Sequence, residues 1–167
     1  TIYRESAQMN KHSCTPGVAG TKAMCISVTD TCEYVPDHPA ALRFEVSLAP
    51  EPGSSVRLTQ LSFFEKSPAL YDWIDGPSGP NNYPERFGIR ILKNGIEIFN
   101  LESVESNRDW TLHEFSLLNN DSSLITGSTI LTFELYPYCP VGIAADVSAW
   151  DIDEIRLFGG CSTLNEM

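Results

Sequence analysis

The stretch Tyr71-Asp72-Trp73-Ile74-Asp75-Gly76-Pro77-Ser78-Gly79-Pro80-Asn81-Asn82-Tyr83-Pro84-Glu85-Arg86 concentrates the residue types that recognise polyhydroxyl ligands. Tyr71, Trp73 and Tyr83 carry flat rings on which a sugar face can stack, and Asp75, Asn82 and Arg86 carry donors and acceptors for hydroxyls. The same stretch also reads as architecture, with Trp73 and Ile74 capping an open core and the prolines stiffening the connection. A connection of this length either has a function or lacks structure of its own.

Other reactive side chains do not form a catalytic pattern. His12, His38 and His113 lie far apart, and no nucleophile elbow, zinc-protease helix or phosphate-binding glycine loop is present. His12 and Cys14 are close in sequence but sit in a polar lead-in, outside the expected scaffold. An acid-rich chain always contains carboxylate pairs, so pairs alone do not argue for glycoside hydrolysis. No enzyme is expected. The five cysteines, at 14, 25, 32, 139 and 161, include no Cys-x-x-Cys, which removes the usual zinc and redox spacings. Structural disulfides in an oxidising compartment, with one thiol left over, are the leading reading; buried free thiols are the alternative.

Charge excludes further classes. The 167 residues carry 11 Lys plus Arg against 22 Asp plus Glu, a net charge of −11. A field of that sign repels phosphate backbones and anionic leaflets, so neither nucleic acid nor membrane is an expected partner. No apolar run is long enough for a signal peptide or a span, so an exported chain of this sequence is expected to be a mature piece or an excised module.

These groups must be positioned by strands. Short β-type runs recur at 23–28, 42–48, 56–64, 87–92, 96–100, 110–117, 128–136 and 150–158, a number suited to a sandwich. Leu42, Phe44, Val46 and Leu48 alternate with Arg43, Glu45 and Ser47, the pattern of a half-buried antiparallel strand. Phe87, Ile89 and Ile91 repeat it, and Asn94-Gly95 then reverses the chain as a hairpin turn. Pro137 is expected to end the run containing Ile130, Leu131, Phe133 and Leu135, and a short helical turn is expected at 122–125. In the last run Trp150 and Ile152 share one face, while Ile155 and Leu157 are out of phase with them, which a bulge near Asp153 reconciles. Residues 1–21 read as an arm or linker, 22–161 as the sandwich and 162–167 as a tail.

The order Leu42-Arg-Phe-Glu-Val, Leu58-Thr-Gln-Leu-Ser-Phe, the Asn-Gly hairpin, Trp110, Leu131-Thr-Phe-Glu-Leu and Ala149-Trp-Asp-Ile-Asp-Glu-Ile-Arg-Leu-Phe-Gly resembles secreted bacterial jelly-roll modules. These include carbohydrate-binding modules of the galactose-binding-like fold and related domains of large exported surface proteins of Bacteroidota. The resemblance implies an all-β antiparallel jelly-roll sandwich of about eight strands that acts outside the cell without catalysis, in binding or adhesion, with a glycan as ligand. It also implies a structural Ca²⁺ at Asp153. Six to eight hard oxygens are needed, so Asp151, Glu154 or Glu33 would have to contribute; a solvated acidic surface is the other reading. In a jelly roll an early strand runs beside the last, which pairs Cys32 with Cys139 and leaves Cys14 or Cys25 near Cys161. Cys139 and Cys161 bracket a strand of about 36 Å and are not expected to pair. The alternative function is a structural repeat or filament subunit that contacts neighbouring copies by strand addition, with Ile2-Tyr3-Arg4 of the arm as donor.

Overall fold

The computed structural model of the chain describes residues 2–3, 18, 24–27, 31–39, 41–67, 83–118, 121–141 and 149–163. Among them are ten strands: β1 (Ile2–Tyr3), β2 (Met24–Ser27), β3 (Leu42–Leu48), β4 (Ser54–Lys66), β5 (Tyr83–Lys93), β6 (Ile96–Glu105), β7 (Thr111–Ser116), β8 (Leu124–Ile125), β9 (Thr129–Val141) and β10 (Ala149–Thr163). All pairings are antiparallel. Sheet 1 has the order β1-β3-β9-β5-β6, and sheet 2 the order β2-β10-β4-β7 with β8 added on β4. Apart from the β5–β6 hairpin and the step from β7 to β8, successive strands alternate between the sheets. The result is an antiparallel β-sandwich.

The period-two patterns decide which faces meet. Leu42 and Phe44 of β3, Phe87, Ile89 and Ile91 of β5, and Leu131, Phe133 and Leu135 of β9 point inward from sheet 1. Leu58, Leu61 and Phe63 of β4 and Trp150 and Ile152 of β10 meet them from sheet 2. Each such fully buried side chain contributes roughly 1.5–3 kcal/mol through removal of apolar surface from water. The β5–β6 turn has both Asn94 (φ 50°) and Gly95 (φ 81°) in the left-handed region, the geometry a two-residue hairpin demands of an Asn-Gly pair.

The expected bulge in the last strand is present. The register of β10 on β4 shifts between Asp153 and Arg156, with Glu154 at φ 51°, so Trp150, Ile152, Ile155 and Leu157 all reach the core. Two expectations need correction. Pro137 does not end β9, which runs on through Pro140 to Val141. β3 pairs with β9 only as far as Leu135, so beyond that point β5 is the one described strand beside β9, and a residue without N–H is tolerated there. The turn expected at 122–125 is a 3-10 turn at Asp121–Ser123 followed by the two-residue β8. At the ends, Ile2 and Tyr3 of the arm pair with Phe44 and Arg43 of the chain's own β3, and β10 extends past Cys161 to Thr163.

Candidate ligand-binding face

The outward residues of sheet 1 form an ordered polar row. Arg43 of β3 pairs in register with Glu134 of β9, Glu134 with Arg90 of β5, and Arg90 with Asn100 of β6. Alternation places these side chains opposite the core, and cross-strand proximity makes them partners. Arg43 Nε donates to Glu134 Oε1 at 2.8 Å, and Arg90 Nη1 donates to Glu134 Oε2 at 3.3 Å. Arg90 also donates from Nε to Glu97 Oε2 and pairs through Nη1 with Asp37 Oδ1, each at 2.8 Å. Glu134 is 5% exposed, which is tolerable for a carboxylate because both oxygens face guanidinium groups.

Residues 31–39 lie over this row as a strap. A disulfide joins Cys32 to Cys139 near the end of β9, as expected, and Cys139 N donates to Thr31 O at 2.7 Å. The strap next places the Tyr34 ring on the sheet directly above Gly88, where even a Cβ would come within 2.3 Å of the ring. Tyr34 Oη donates to Asn100 Oδ1 at 3.1 Å, and its ring sits 6.0 Å from Tyr136 and 6.2 Å from Tyr138. His38 lies 5.0 Å from Tyr136. Asp37, at φ 59°, turns back to Arg90 while its own side chain stays largely open to solvent.

Electrostatics follow from this packing. Burial pushes the Tyr34 phenol up to about 12. The hydrogen bond from Arg90 holds the Asp37 carboxyl below the usual carboxylate range. Burial by itself would lower Arg90, but its hydrogen bonds to Asp37 and Glu97 hold the guanidinium above its ordinary value. The face therefore presents fixed cations and anions in hydrogen-bonding pairs with aromatic rings beside them. Its open rim consists of Asp37, Glu97, Glu102 and Arg86.

A second polar cluster lies inside the sandwich and serves to hold it together. Glu65 of β4 is fully buried, and Trp150 Nε1 and Ser106 Oγ donate to its Oε2 at 2.8 and 2.7 Å. Asn107 donates to Oε1 from its backbone N at 2.8 Å and from Nδ2 at 3.1 Å, and His113 Nε2 is 3.2 Å from the same oxygen. One carboxylate thus ties together β4, β7, β10 and the turn leaving β6. Because every lone pair has a donor, the charge can sit in the core.

Of the residues expected to bind ligand, Tyr71, Trp73, Asp75 and Asn82 lie outside the described residues. Tyr83 opens β5, and Arg86 stands exposed on the outer face of sheet 1, donating to Ser103 Oγ at 2.9 Å and paired in register with Tyr138. The expected metal ligands are not gathered. Asp151 and Asp153 stand two residues apart on β10 in sheet 2, whereas Glu33 is in the strap over sheet 1. Asp153 accepts backbone N–H from Glu154 at Oδ1 and from Val18 at Oδ2, both at 2.9 Å. Among the described residues no three His, Cys, Asp or Glu side chains converge.

Of the two cysteines expected near Cys161, Cys25 is placed elsewhere. Cys161 is an exposed free thiol, and Cys25 is in register with Asp151, ten residues away along β10, so these two are not neighbours. The reason is topological, since β2 pairs with the start of β10. Cys14 lies outside the described residues. The sequence reading passed over Tyr34, Asp37, Arg43, Arg90, Glu134, Tyr136 and Tyr138. Their available signal is charge or a tyrosine at outward positions of three strands, or, for Tyr34 and Asp37, in the strap, and without the register those positions read as ordinary solvated surface.

No protein-family model and no curated protein matches the chain. Solved structures that resemble it include one described as CBM4, at 13% identity and a TM-score of 0.40, covering 71% of this chain and 61% of that one. A Stig cyclase from Fischerella sp. TAU, in complex with an indole compound, matches at 10% identity and a TM-score of 0.48 over 93% of this chain and 79% of its own. Carbohydrate-binding module CBM36 in complex with calcium and xylotriose matches at 9% identity and a TM-score of 0.39, over 95% and 99%. The chain thus spans about three fifths of the CBM4 structure's length. At these identities and TM-scores the likenesses assign neither ligand nor activity.

Proposed function

We propose that this chain is a non-catalytic extracellular module for binding or adhesion, that its ligand is a glycan, and that the outer face of sheet 1, together with the residues of the 71–86 segment that runs in sequence into β5, receives it. The observation that carries this reading is Arg90, fixed by Asp37, Glu97 and Glu134 beside Tyr34 and Asn100, with Arg86 exposed on the same face. Sugar hydroxyls need donors and acceptors held in place together with a ring for their apolar faces; Arg86, Asp37 and Glu97 stand exposed at the rim of this face, and half-buried Tyr34 is the ring beside them. Asp37, kept ionised by Arg90, acts as an acceptor and not as a general acid. The Cys32–Cys139 bridge suits an oxidising compartment outside the cell.

Head-to-tail assembly through the arm is not part of this reading, because Ile2–Tyr3 pairs with β3 of the same chain. The test is a broad glycan array followed by affinity gels with the parent, Arg86→Ala, Tyr71→Ala and Tyr83→Ala. The variants are expected to bind roughly tenfold more weakly, the equivalent of about 1.4 kcal/mol, while melting like the parent. A parent that binds no glycan, or variants that all bind as the parent does, would overturn the proposal.

A further inference from the structure

The outer face of sheet 2 carries a groove that the face described above does not use. It begins with an irregularity in β4. The register of β10 steps from Phe158 opposite Gln60 to Gly159 opposite Leu58, which leaves Thr59 as an extra residue. Such a bulge re-aims side chains and is frequent beside binding sites. On the other side β7 ends at Ser116, opposite Gln60, and Leu117 N donates to Thr59 O at 2.9 Å. Leu117 then enters the core, and Leu118 stands up at the surface, 52% exposed. Between them lies an open groove of about 300 Å³ lined by Thr59, Gln60, Glu114, Ser116 and Leu118. Phe158, 43% exposed, continues the Gln60–Ser116 row beside it.

We infer that this groove is a binding subsite for a neutral sugar ring, an inference that rests on the glycan reading and locates a second contact for it. Gln60 Nε2 donates to Glu114 Oε1 at 2.6 Å, so amide and carboxylate are already fixed against each other. The Gln60 carbonyl, the second Glu114 oxygen and the hydroxyls of Thr59 and Ser116 then meet the hydroxyls of a sugar, while Phe158 and Leu118 flank its apolar face. The volume lies at the lower end of ligand pockets, enough for one or two sugar units. Its charge sets the specificity. Among the described residues that line it there is no Lys or Arg; Arg156, in the same cross-strand row as Glu114 with Ser62 between them, is turned to Glu154, donating to its Oε2 at 2.6 Å. Glu114 therefore repels uronates and sulfated sugars but accepts from neutral hydroxyls.

The test is NMR titration of the full chain with soluble neutral gluco-, galacto-, manno- and xylo-oligosaccharides, and with oligogalacturonate as the acidic probe. Expected are shifts at the Gln60 side-chain amide and at Thr59, Ser116 and Leu118 with a neutral probe, and none there with oligogalacturonate. Gln60→Ala, Glu114→Ala and Phe158→Ala should each weaken the neutral probe about tenfold, with melting close to the parent. If a sugar binds but shifts only the outer face of sheet 1, or if the groove variants bind as the parent does, the groove proposal falls and the glycan reading stands. If the groove binds while Arg86→Ala changes nothing, the groove holds and the sheet 1 site falls. Equal binding of oligogalacturonate in the groove overturns the neutral specificity, and binding of no sugar anywhere overturns both.

Discussion

Gly88→Ala is the substitution that best tests whether the strap is packed on sheet 1 as described. The added Cβ would lie 2.3 and 2.6 Å from two Tyr34 ring carbons and 3.3 Å from Glu102 O. Carbon atoms rest at about 3.5–4.0 Å, so the ring must retreat by more than about 1 Å. The 3.1 Å hydrogen bond to Asn100 does not survive that movement, and the edge contacts with Tyr136 and Tyr138 loosen with it. Overpacking and the lost bond together cost about 1–3 kcal/mol. For a domain of this size 2 kcal/mol lowers Tm by about 4–8 °C. In a Tyr34→Ala background the same substitution meets no ring and should cost almost nothing, or stabilise slightly, since Ala is favoured over Gly within a strand. A double-mutant cycle read by denaturant unfolding should therefore show at least about 1 kcal/mol of coupling. Spectrophotometric titration supplies an independent readout: Tyr34, held up near 12 by burial, should move back toward the ordinary tyrosine value in Gly88→Ala. Equal costs in both backgrounds, or a variant that melts like the parent, would refute the placement of the strap.

Three further outcomes are expected. Glu65→Ala strands the Trp150, Ser106 and Asn107 donors inside the core and should cost about 3–5 kcal/mol with a change in tryptophan fluorescence; a loss below about 1 kcal/mol would refute its role as a tether. Non-reducing peptide mapping should find Cys32 linked to Cys139 and Cys161 open to maleimide, and replacing both bridged cysteines by serine should cost about 2–4 kcal/mol. The strap should have a pH window. The Asp37 carboxyl is depressed, so its contribution is present above the unfolded value near 3.8 and is lost as pH falls through its lower folded value. The raised Tyr34 phenol keeps its proton longer when folded, so stability declines between about 10 and about 12 as the unfolded chain ionises first. Thermal melts across pH should show both limbs, and Asp37→Asn should remove only the acid one.

Eight of the ten strands, the inward faces, the hairpin turn and the bulge near Asp153 are legible in the residues alone, because each follows from local rules. A period of two marks a half-buried strand, an Asn-Gly pair suits a left-handed turn, and an apolar phase shift in one strand requires an extra residue. The Cys32–Cys139 pair was reached through a resemblance to jelly rolls, in which an early strand runs beside the last. In the structure β9 and β10 lie in different sheets, and the bridge joins the strap to the end of β9. Pro137 lies within β9 because a proline stops a strand only where a neighbour needs its N–H, and which neighbours β9 has at that point is a matter of tertiary structure. The polar row Arg43–Glu134–Arg90–Asn100 and the Thr59–Leu118 groove were invisible for the same reason. Each is assembled from residues on different strands whose register is set by the packing of both sheets. Only that packing turns outward charges, each unremarkable in its own strand, into partners within hydrogen-bonding distance.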